Sequence, residues 1–551
     1  MKHAVLKVHP EDNVMVALED LRAGTELPTD SGNVILIDNI PAKHKFFLQN
    51  MSPGDEVIMY GVLVGKTVGH IGRGGLMTTD NVKHAAGIYT VKDKRKIDWH
   101  RPDTAPWQNR HFMGFHRADG SVGTANYWLV VPLVFCENRN LSVLEEALVK
   151  NLGYGSPDSY RQEADQLIAL YKAGKTAEEI LSADLEKSSV DSLKERLFPH
   201  VDGIKFLQHD GGCGGTRQDA EALCALLAGY ITHPNVAGAT VLSLGCQHAQ
   251  VSMLEEAIYK RTPNFQKPLF ILEQQKEGME TDLMAKAIRQ TFAGLIKANE
   301  FRRAPAPLDK LCIGLECGGS DGFSGISANP AIGYTSDLVV ALGGSVILSE
   351  FPELCGVEQE LSDRCITTAM AKRFTDLMTL YNNRAKAVGS GFDMNPSPGN
   401  IKDGLITDAI KSAGAAKKGG TSPVADVLDY TEPVTKPGLT LLCTPGNDVE
   451  STTAEVGSGA NIVLFTTGLG TPTGNPITPV IKIATNTAMF ERMKDIMDIN
   501  TGTIIEGTET IEDAGKRILD YIIQVASGDI IVNAVRLGQD DFIPWKRGVS
   551  L

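Results

Sequence analysis

Three apolar runs in this chain each end in a glycine turn that carries a cysteine. Residues 203–208 lead into Asp210-Gly-Gly-Cys213, 239–244 into Gly245-Cys246, and 310–315 into Glu316-Cys317-Gly-Gly-Ser320-Asp321. These short apolar runs, bounded by glycines and polar clusters, read as buried strands. Helical segments such as 216–227 and 251–260 lie between them, and further strand candidates fall at 268–272, 343–348, 438–443, 461–466 and 479–484. That is βαβ spacing, which predicts mostly parallel α/β sheet. In such sheets the chemistry collects at the carboxyl ends of the strands, where these glycines and polar groups sit.

The 551 residues are enough for three or four domains at about 150 residues each. Residues 1–95 carry short strands with closely spaced turns and read as a small β-rich module. Residues 96–115 read as a linker, 116–390 as an α/β domain, and 391–551 as a C-terminal α/β domain. Helices are expected over 158–173 and 176–194, and flexible turns over 389–400 and 414–420. The net charge of −14 leaves no basic surplus for a phosphate backbone and argues against nucleic acid. No apolar run reaches the roughly 18 residues of a membrane span. Nine scattered cysteines without a Cys-x-x-Cys, and a start that lacks the apolar core of a leader, predict a cytoplasmic protein with reduced thiols. All twelve histidines lie between His3 and His248, so any imidazole in the mechanism comes from the N-terminal half.

His209 and Cys213, joined by Asp210-Gly-Gly, can converge on one point and suit Fe(II) or Zn. Cys213, Cys246 and Cys317 end three strands, and along one sheet edge they would hold an iron–sulfur cluster with an open iron. The bland alternative is that each thiol is a small buried hydrophobe. Glu316 and Asp321 are candidates for metal ligand or general base. Ser320 and Ser324, with the bare N–H groups of neighbouring glycines, form a cradle for a carboxylate. Asn395 and Ser397 in Asn395-Pro-Ser-Pro-Gly-Asn400, and Asn447 and Asp448 in Pro445-Gly-Asn-Asp448, offer polar groups on rigid turns. Lys482 is a lone cation in an apolar run and suits a substrate carboxylate. The string Gly468-Leu-Gly-Thr-Pro-Thr-Gly474 lacks the context of a dinucleotide loop.

These segments resemble the altronate dehydratase family, which includes galactarate dehydratase and sulfolactate sulfo-lyase. The match runs through Lys43-His44-Lys45, Arg117-Ala-Asp-Gly-Ser-Val-Gly123, His209 to Cys213, Leu244-Gly-Cys246, the long segment 314–330, Asn395 to Asn400, Pro445 to Asp448, and Lys482-Ile-Ala-Thr-Asn486. It covers nearly the whole chain, and residues 1–95 look like a SAF domain. One departure is that a His-x-His-x-His-Asn signature reads Met77-Thr-Thr-Asp-Asn81 here. The resemblance implies a SAF-like module followed by parallel α/β domains with active-site loops at strand ends. It also implies a hydro-lyase that removes water from a sugar acid, D-altronate in the first instance and galactarate or another aldarate or aldonate in the second. The implied cofactor is Fe(II), or Mn(II) in its place. His209, Cys213, Cys246 and Cys317 would hold or flank the metal. Glu316 and Asp321 would orient ligands or act as base, and His44, with Lys45 beside it, would be the acid. Ser320, Ser324, Asn395, Ser397, Asn447, Asp448 and Lys482 would hold substrate. A homo-oligomer is compatible with all of this. A reading from another class is a non-catalytic metal-binding sensor of sugar acids.

Overall fold

The computed structural model describes residues 4–29, 32–87, 89–92, 97–155, 159–185 and 195–551. In the small module, Val14–Ala17 pairs antiparallel with Lys45–Phe47, and Glu56–Met59 with Val62–Thr67, which in turn pairs with Val82–Lys83. The Tyr60-Gly61 connection places both residues at positive φ, 58° and 76°, as a two-residue hairpin turn demands. Lys43 also has a positive φ of 75°. Both non-glycine residues lie on the face of the module that meets the rest of the chain.

Beyond the module, β1 (Tyr127–Pro132), β2 (Gly203–Phe206), β3 (Val236–Ser243) and β4 (Leu269–Glu273) form a parallel sheet in the order β2-β1-β3-β4. Helix α1 (Arg217–Thr232) opens on a capping box between Thr216 and Asp219, and α2 (Val251–Arg261) follows β3. A second parallel sheet has seven strands. It comprises β5 (Cys312–Cys317), β6 (Ser345–Leu348), β7 (Val424–Leu428), β8 (Gly438–Leu442), β9 (Ile462–Thr467), β10 (Val480–Ala484) and β11 (Ile499–Asn500). Their order is β7-β8-β6-β5-β9-β10-β11. Helices α3 (Ala328–Ala341), α4 (Asp408–Ala416) and α5 (Asp448–Ser458) belong to this unit. The α/β class and parallel sheets expected from sequence are what the chain forms.

Three expectations about organisation change. The boundary at 390 falls inside one sheet, because β5 and β6 precede it while β7 to β11 follow it. The interval 116–390 also spans two sheets, and the break lies between β4 and β5. The linker expected at 96–115 gives way to a strand, His111–His116, which pairs with Arg303–Pro307 and ties the two α/β units together. Finally, 414–420 is not a flexible patch. It is the buried end of α4 running into a turn of 3-10 helix at Lys417–Gly419. Of the helix expected over 176–194, Ala177–Leu181 is helical, and residues 186–194 lie outside the described residues.

Candidate active site

The carboxyl edge of the seven-stranded sheet gathers charge that burial makes costly to hold. Cys317, the last residue of β5, is 3% exposed. Its Sγ lies 2.9 Å from Lys418 Nζ and donates to Glu353 Oε2 at 3.3 Å. Glu350, just past the end of β6, accepts from the Cys317 N–H at 3.3 Å and pairs with Lys418. It holds a left-handed φ of 60° without being glycine, a strain of a kind that concentrates at functional sites. Lys411 on α4 pairs with Glu353 at 2.6 Å and donates to Asn395 Oδ1 at 2.8 Å. Burial and the Glu350 carboxylate push the Cys317 thiol up, so it stays protonated. Burial works against the charge of Lys418, but the thiol and carboxylates around it outweigh burial and hold its pKa up.

Around this core the carboxyls are forced towards their protonated forms. Glu316 is fully buried, and neither oxygen meets a hydrogen-bond donor. Burial, then Glu350 and Glu455, raise its pKa far above the usual carboxyl range. Glu455 on α5 accepts from the Leu315 N–H and the Ser349 hydroxyl, and burial pushes it up to about 8. Asp448, the first residue of α5, is pushed to about 7 by burial and by Glu350 and Glu353. It comes so close to the chain after β5 that a Cβ on Gly318 would lie 2.0 Å from its Oδ2, so that position requires glycine.

The small module closes over this edge. Lys45 is 0% exposed and donates from Nζ to the Gly404 carbonyl at 2.7 Å. Burial lowers its pKa to about 7, against the pull of Asp321. Lys43 Nζ reaches Asp321 Oδ2 at 3.1 Å and Asp403 Oδ1 at 2.8 Å. Its own carbonyl sits so near Gly322 and Gly404 that a Cβ on either would come within 2.4 Å of it. Asp321 is fully buried and also accepts from Ser324 Oγ at 3.1 Å, Thr485 Oγ1 at 3.0 Å and Asn486 Nδ2 at 3.3 Å. The Ser320 carbonyl anchors Asn400 Nδ2 at 2.8 Å. His44 is half-buried, with Nδ1 3.2 Å from the Ala42 carbonyl, and burial lowers its pKa.

The structure thus brings Lys45, Asp321, Ser324, Glu316, Cys317, Asn395 and Asp448 to one edge, with His44 beside them. Other expected residues go elsewhere. The thiols do not converge, because Cys213 and Cys246 follow strands of the four-stranded sheet while Cys317 ends a strand of the other. Cys213 and Cys246 are exposed, and Cys246 Sγ accepts from Gln275 Nε2 at 3.3 Å. This corrects the expectation of a cluster on the three cysteines. The metal-ligand expectation for His209 is corrected too. The carbonyl of Pro132 can only accept, so Nε2 donates to it at 2.9 Å, and Nδ1 accepts from the Gly211 N–H at 3.1 Å. Both ring nitrogens are used by backbone, which leaves neither for a metal. His209 and Cys213 line a separate cavity of 440 Å³ with Tyr430, Phe542 and Trp545. Asn447 caps α5 and Ser397 caps the helix Pro398–Lys402, and both are exposed. Lys482 is buried over the Phe465 ring, with Nζ on the Thr471 carbonyl at 2.6 Å, and burial lowers it to about 8.

Sequence reasoning missed Glu350, Glu353, Lys411 and Lys418. The pair Glu350 and Glu353 directly follows a strand run at 343–348, the same signal that marked Glu316. Of the residues able to hold iron at this edge, Cys317, Glu350 and Glu353 have ligand atoms within 4.8 Å of one another. Glu350 Oε1 is buried and accepts from no N–H, and the Glu350 carboxylate has the raised-pKa Glu316 carboxyl as its hydrogen-bonding neighbour. Sulfur combined with carboxylate oxygen suits Fe(II), so these residues fit the group.

A small β-rich module closed over the carboxyl edge of a parallel sheet, with buried acids and a lysine poised near neutrality, is the architecture of an enzyme site. Three family models match the chain. They are the altronate/galactarate dehydratase SAF domain over residues 3–85, the D-galactarate dehydratase/altronate hydrolase second domain over 114–299, and the D-galactarate/altronate dehydratase C-terminal domain over 308–550. The chain is 32% identical to altronate dehydratase of Bacillus subtilis (strain 168) over 99% of both chains. It is 31% identical to altronate dehydratase of Escherichia coli (strain K12), again over 99% of both. Against galactarate dehydratase (L-threo-forming) of the same organism it is 33% identical, over 95% of this chain and 92% of that one. The chain belongs to the altronate/galactarate dehydratase family, whose altronate and galactarate dehydratases are hydro-lyases.

Proposed function

We propose that the chain dehydrates a sugar acid, and that D-altronate is the substrate and 2-keto-3-deoxy-D-gluconate the product. The observation that carries this reading is Lys45, an amine brought to about 7 by burial at an edge where Asp448 is also brought to about 7. Dehydration of a 2,3-dihydroxy acid needs a base for the proton next to the carboxylate and an acid for the departing hydroxyl. Neutral Lys45 accepts that proton on Nζ. Protonated Asp448 donates to the hydroxyl as it leaves, and the resulting enol relaxes to the 2-keto acid. Cys317, Glu350 and Glu353 would hold Fe(II), which would supply Lewis-acid polarisation to a bound sugar acid. Lys43 stays charged against Asp321 and Asp403 and fixes the module over the edge. Lys411, steered by Asn395, lies beside the same space. Neutral Lys45 and protonated Asp448 coexist best near pH 7, so turnover falls on both sides of it. Nine unpaired thiols suit a reducing cytoplasm.

The test is anaerobic turnover of D-altronate, galactarate and related acids by the full chain supplied with Fe(II), read as 2-keto-3-deoxy acid formed. Product from D-altronate is expected. Product from galactarate alone keeps the chemistry and changes the substrate. No product from any acid, with iron bound, removes the dehydratase reading in favour of a sugar-acid sensor.

A further inference from the structure

A second convergence of ligand side chains lies apart from the sheet-edge set. We propose that His84, Cys355 and Asp408 form a zinc-class divalent-metal site that staples the small module to the seven-stranded unit. His84 follows the strand Val82–Lys83 of the module. Cys355 ends the 3-10 turn Phe351–Leu354, and Asp408 is the first residue of α4. Their ligand atoms all lie within 4.8 Å of one another. Around tetrahedral zinc, with bonds of about 2.0–2.3 Å, ligand atoms sit about 3.5 Å apart, so small side-chain rotations close the set.

Three observations support a ligand here rather than a chance meeting. Asp408 is 1% exposed, and apart from the Cys355 thiol its oxygens meet no hydrogen-bond partner. Burial and then Glu353 hold its carboxyl towards the protonated form, and a bound cation would take the place of that proton. The lysine one turn along, Lys411, is already committed to Glu353 and Asn395. His84 Nδ1 receives the Ala409 N–H at 3.4 Å, the far edge of hydrogen bonding, so an imidazole lone pair already points at the start of α4. The three segments are also in contact at Gly356, where an added Cβ would lie 3.4 Å from the Cβ atoms of both Ala86 and Ala409. Imidazole, thiolate and carboxylate together select zinc or a similar transition metal over calcium or magnesium. On binding, Cys355 gives its thiol proton to solvent and ligates as thiolate.

The test uses the full chain, stripped with chelator and titrated with Co(II), whose thiolate-to-metal absorption reports a bound cysteine. With the sheet-edge set on Cys317 also able to take Co(II), two saturable equivalents showing that band are expected. Cys355→Ser removes one of them, and Cys317→Ser leaves that one in place while removing the other. His84→Gln and Asp408→Asn lower zinc affinity, each by no less than the roughly tenfold that loss of even an outer partner costs. Where Cys355→Ser fails to fold, the unsubstituted chain gives the answer, because zinc must slow alkylation of Cys355. An undiminished band in Cys355→Ser, a band lost entirely in Cys317→Ser, or unchanged alkylation of Cys355 under saturating zinc overturns the proposal.

Discussion

The two parallel sheets present the same sequence device and reach opposite physical states. In the four-stranded sheet, apolar runs end in glycine turns that leave Cys213 and Cys246 exposed and let backbone groups satisfy both nitrogens of His209. In the seven-stranded sheet, the same device buries Cys317 beside Glu350, Glu353 and Lys418. The cause is what covers each edge. The small module and α4 close over the larger sheet and exclude water, so its charges must pair, shift or go unsatisfied. An apolar run ending in a glycine turn therefore locates a sheet edge. Whether that edge does chemistry depends on burial supplied by parts of the chain far away in sequence.

Removing Lys418 breaks this contrast most severely. Lys418→Met leaves Glu350 without its buried cation. Loss of one member of a buried ion pair costs about 3–5 kcal/mol, so the urea midpoint falls sharply and turnover with it. At the corresponding edge of the four-stranded sheet Glu273 pairs at 3.1 Å with an exposed lysine, Lys276, and an exposed pair costs little to lose. If Lys418→Met unfolds at the wild-type urea concentration, the buried charges are not what distinguishes the larger sheet.

Lys45→Met comes next, with turnover down roughly 10²–10⁴-fold if Lys45 is the base. Its pH signature has a definite sign. The folded pKa of Lys45 is about 7 and its ordinary value is 10.5. The unfolded chain therefore binds more protons between these limits. Burial of the charged amine penalises folding fully below pH 7, and the penalty is relieved as pH rises towards 10.5. Wild-type stability measured against Lys45→Met gains across that window. Equal slopes for the two proteins would show that Lys45 is not held neutral.

The parallel sheets and the helices between their strands were legible in the sequence because apolar runs and glycine turns are local signals. The partners of Cys317 were not. Glu350 and Glu353 follow a recognisable strand, but Lys418 sits on the stretch 414–420, whose glycines and alanines read as flexible, and Lys411 lies just before it. That stretch is helical because it is buried, and burial is a tertiary fact. His209 failed in the other direction. Its spacing to Cys213 suits a metal, yet a carbonyl and an N–H contributed by Pro132 and Gly211 took its nitrogens first. Asn447 and Ser397 looked like substrate ligands because the residue types that cap helices are also those that bind polyols.

The smaller sheet yields the weaker effects. His209→Ala strands the Pro132 carbonyl and the Gly211 N–H in a buried setting, which costs about 1–3 kcal/mol of stability. Turnover per folded molecule stays close to wild type, because the imidazole holds structure and not substrate.

Cys213→Ala gives the smallest effect and tests the contrast most finely. The thiol is exposed and lines a 440 Å³ cavity between its glycine turn and the side chains of Tyr430, Phe542 and Trp545, so its removal opens no core void. Surface changes of this kind stay within about 0.5 kcal/mol. Iron content and turnover should both match wild type, measured on the same preparation. A loss of iron in Cys213→Ala would place a metal at the four-stranded edge. The two edges would then share their chemistry as well as their sequence device, and burial would no longer be the property that separates them.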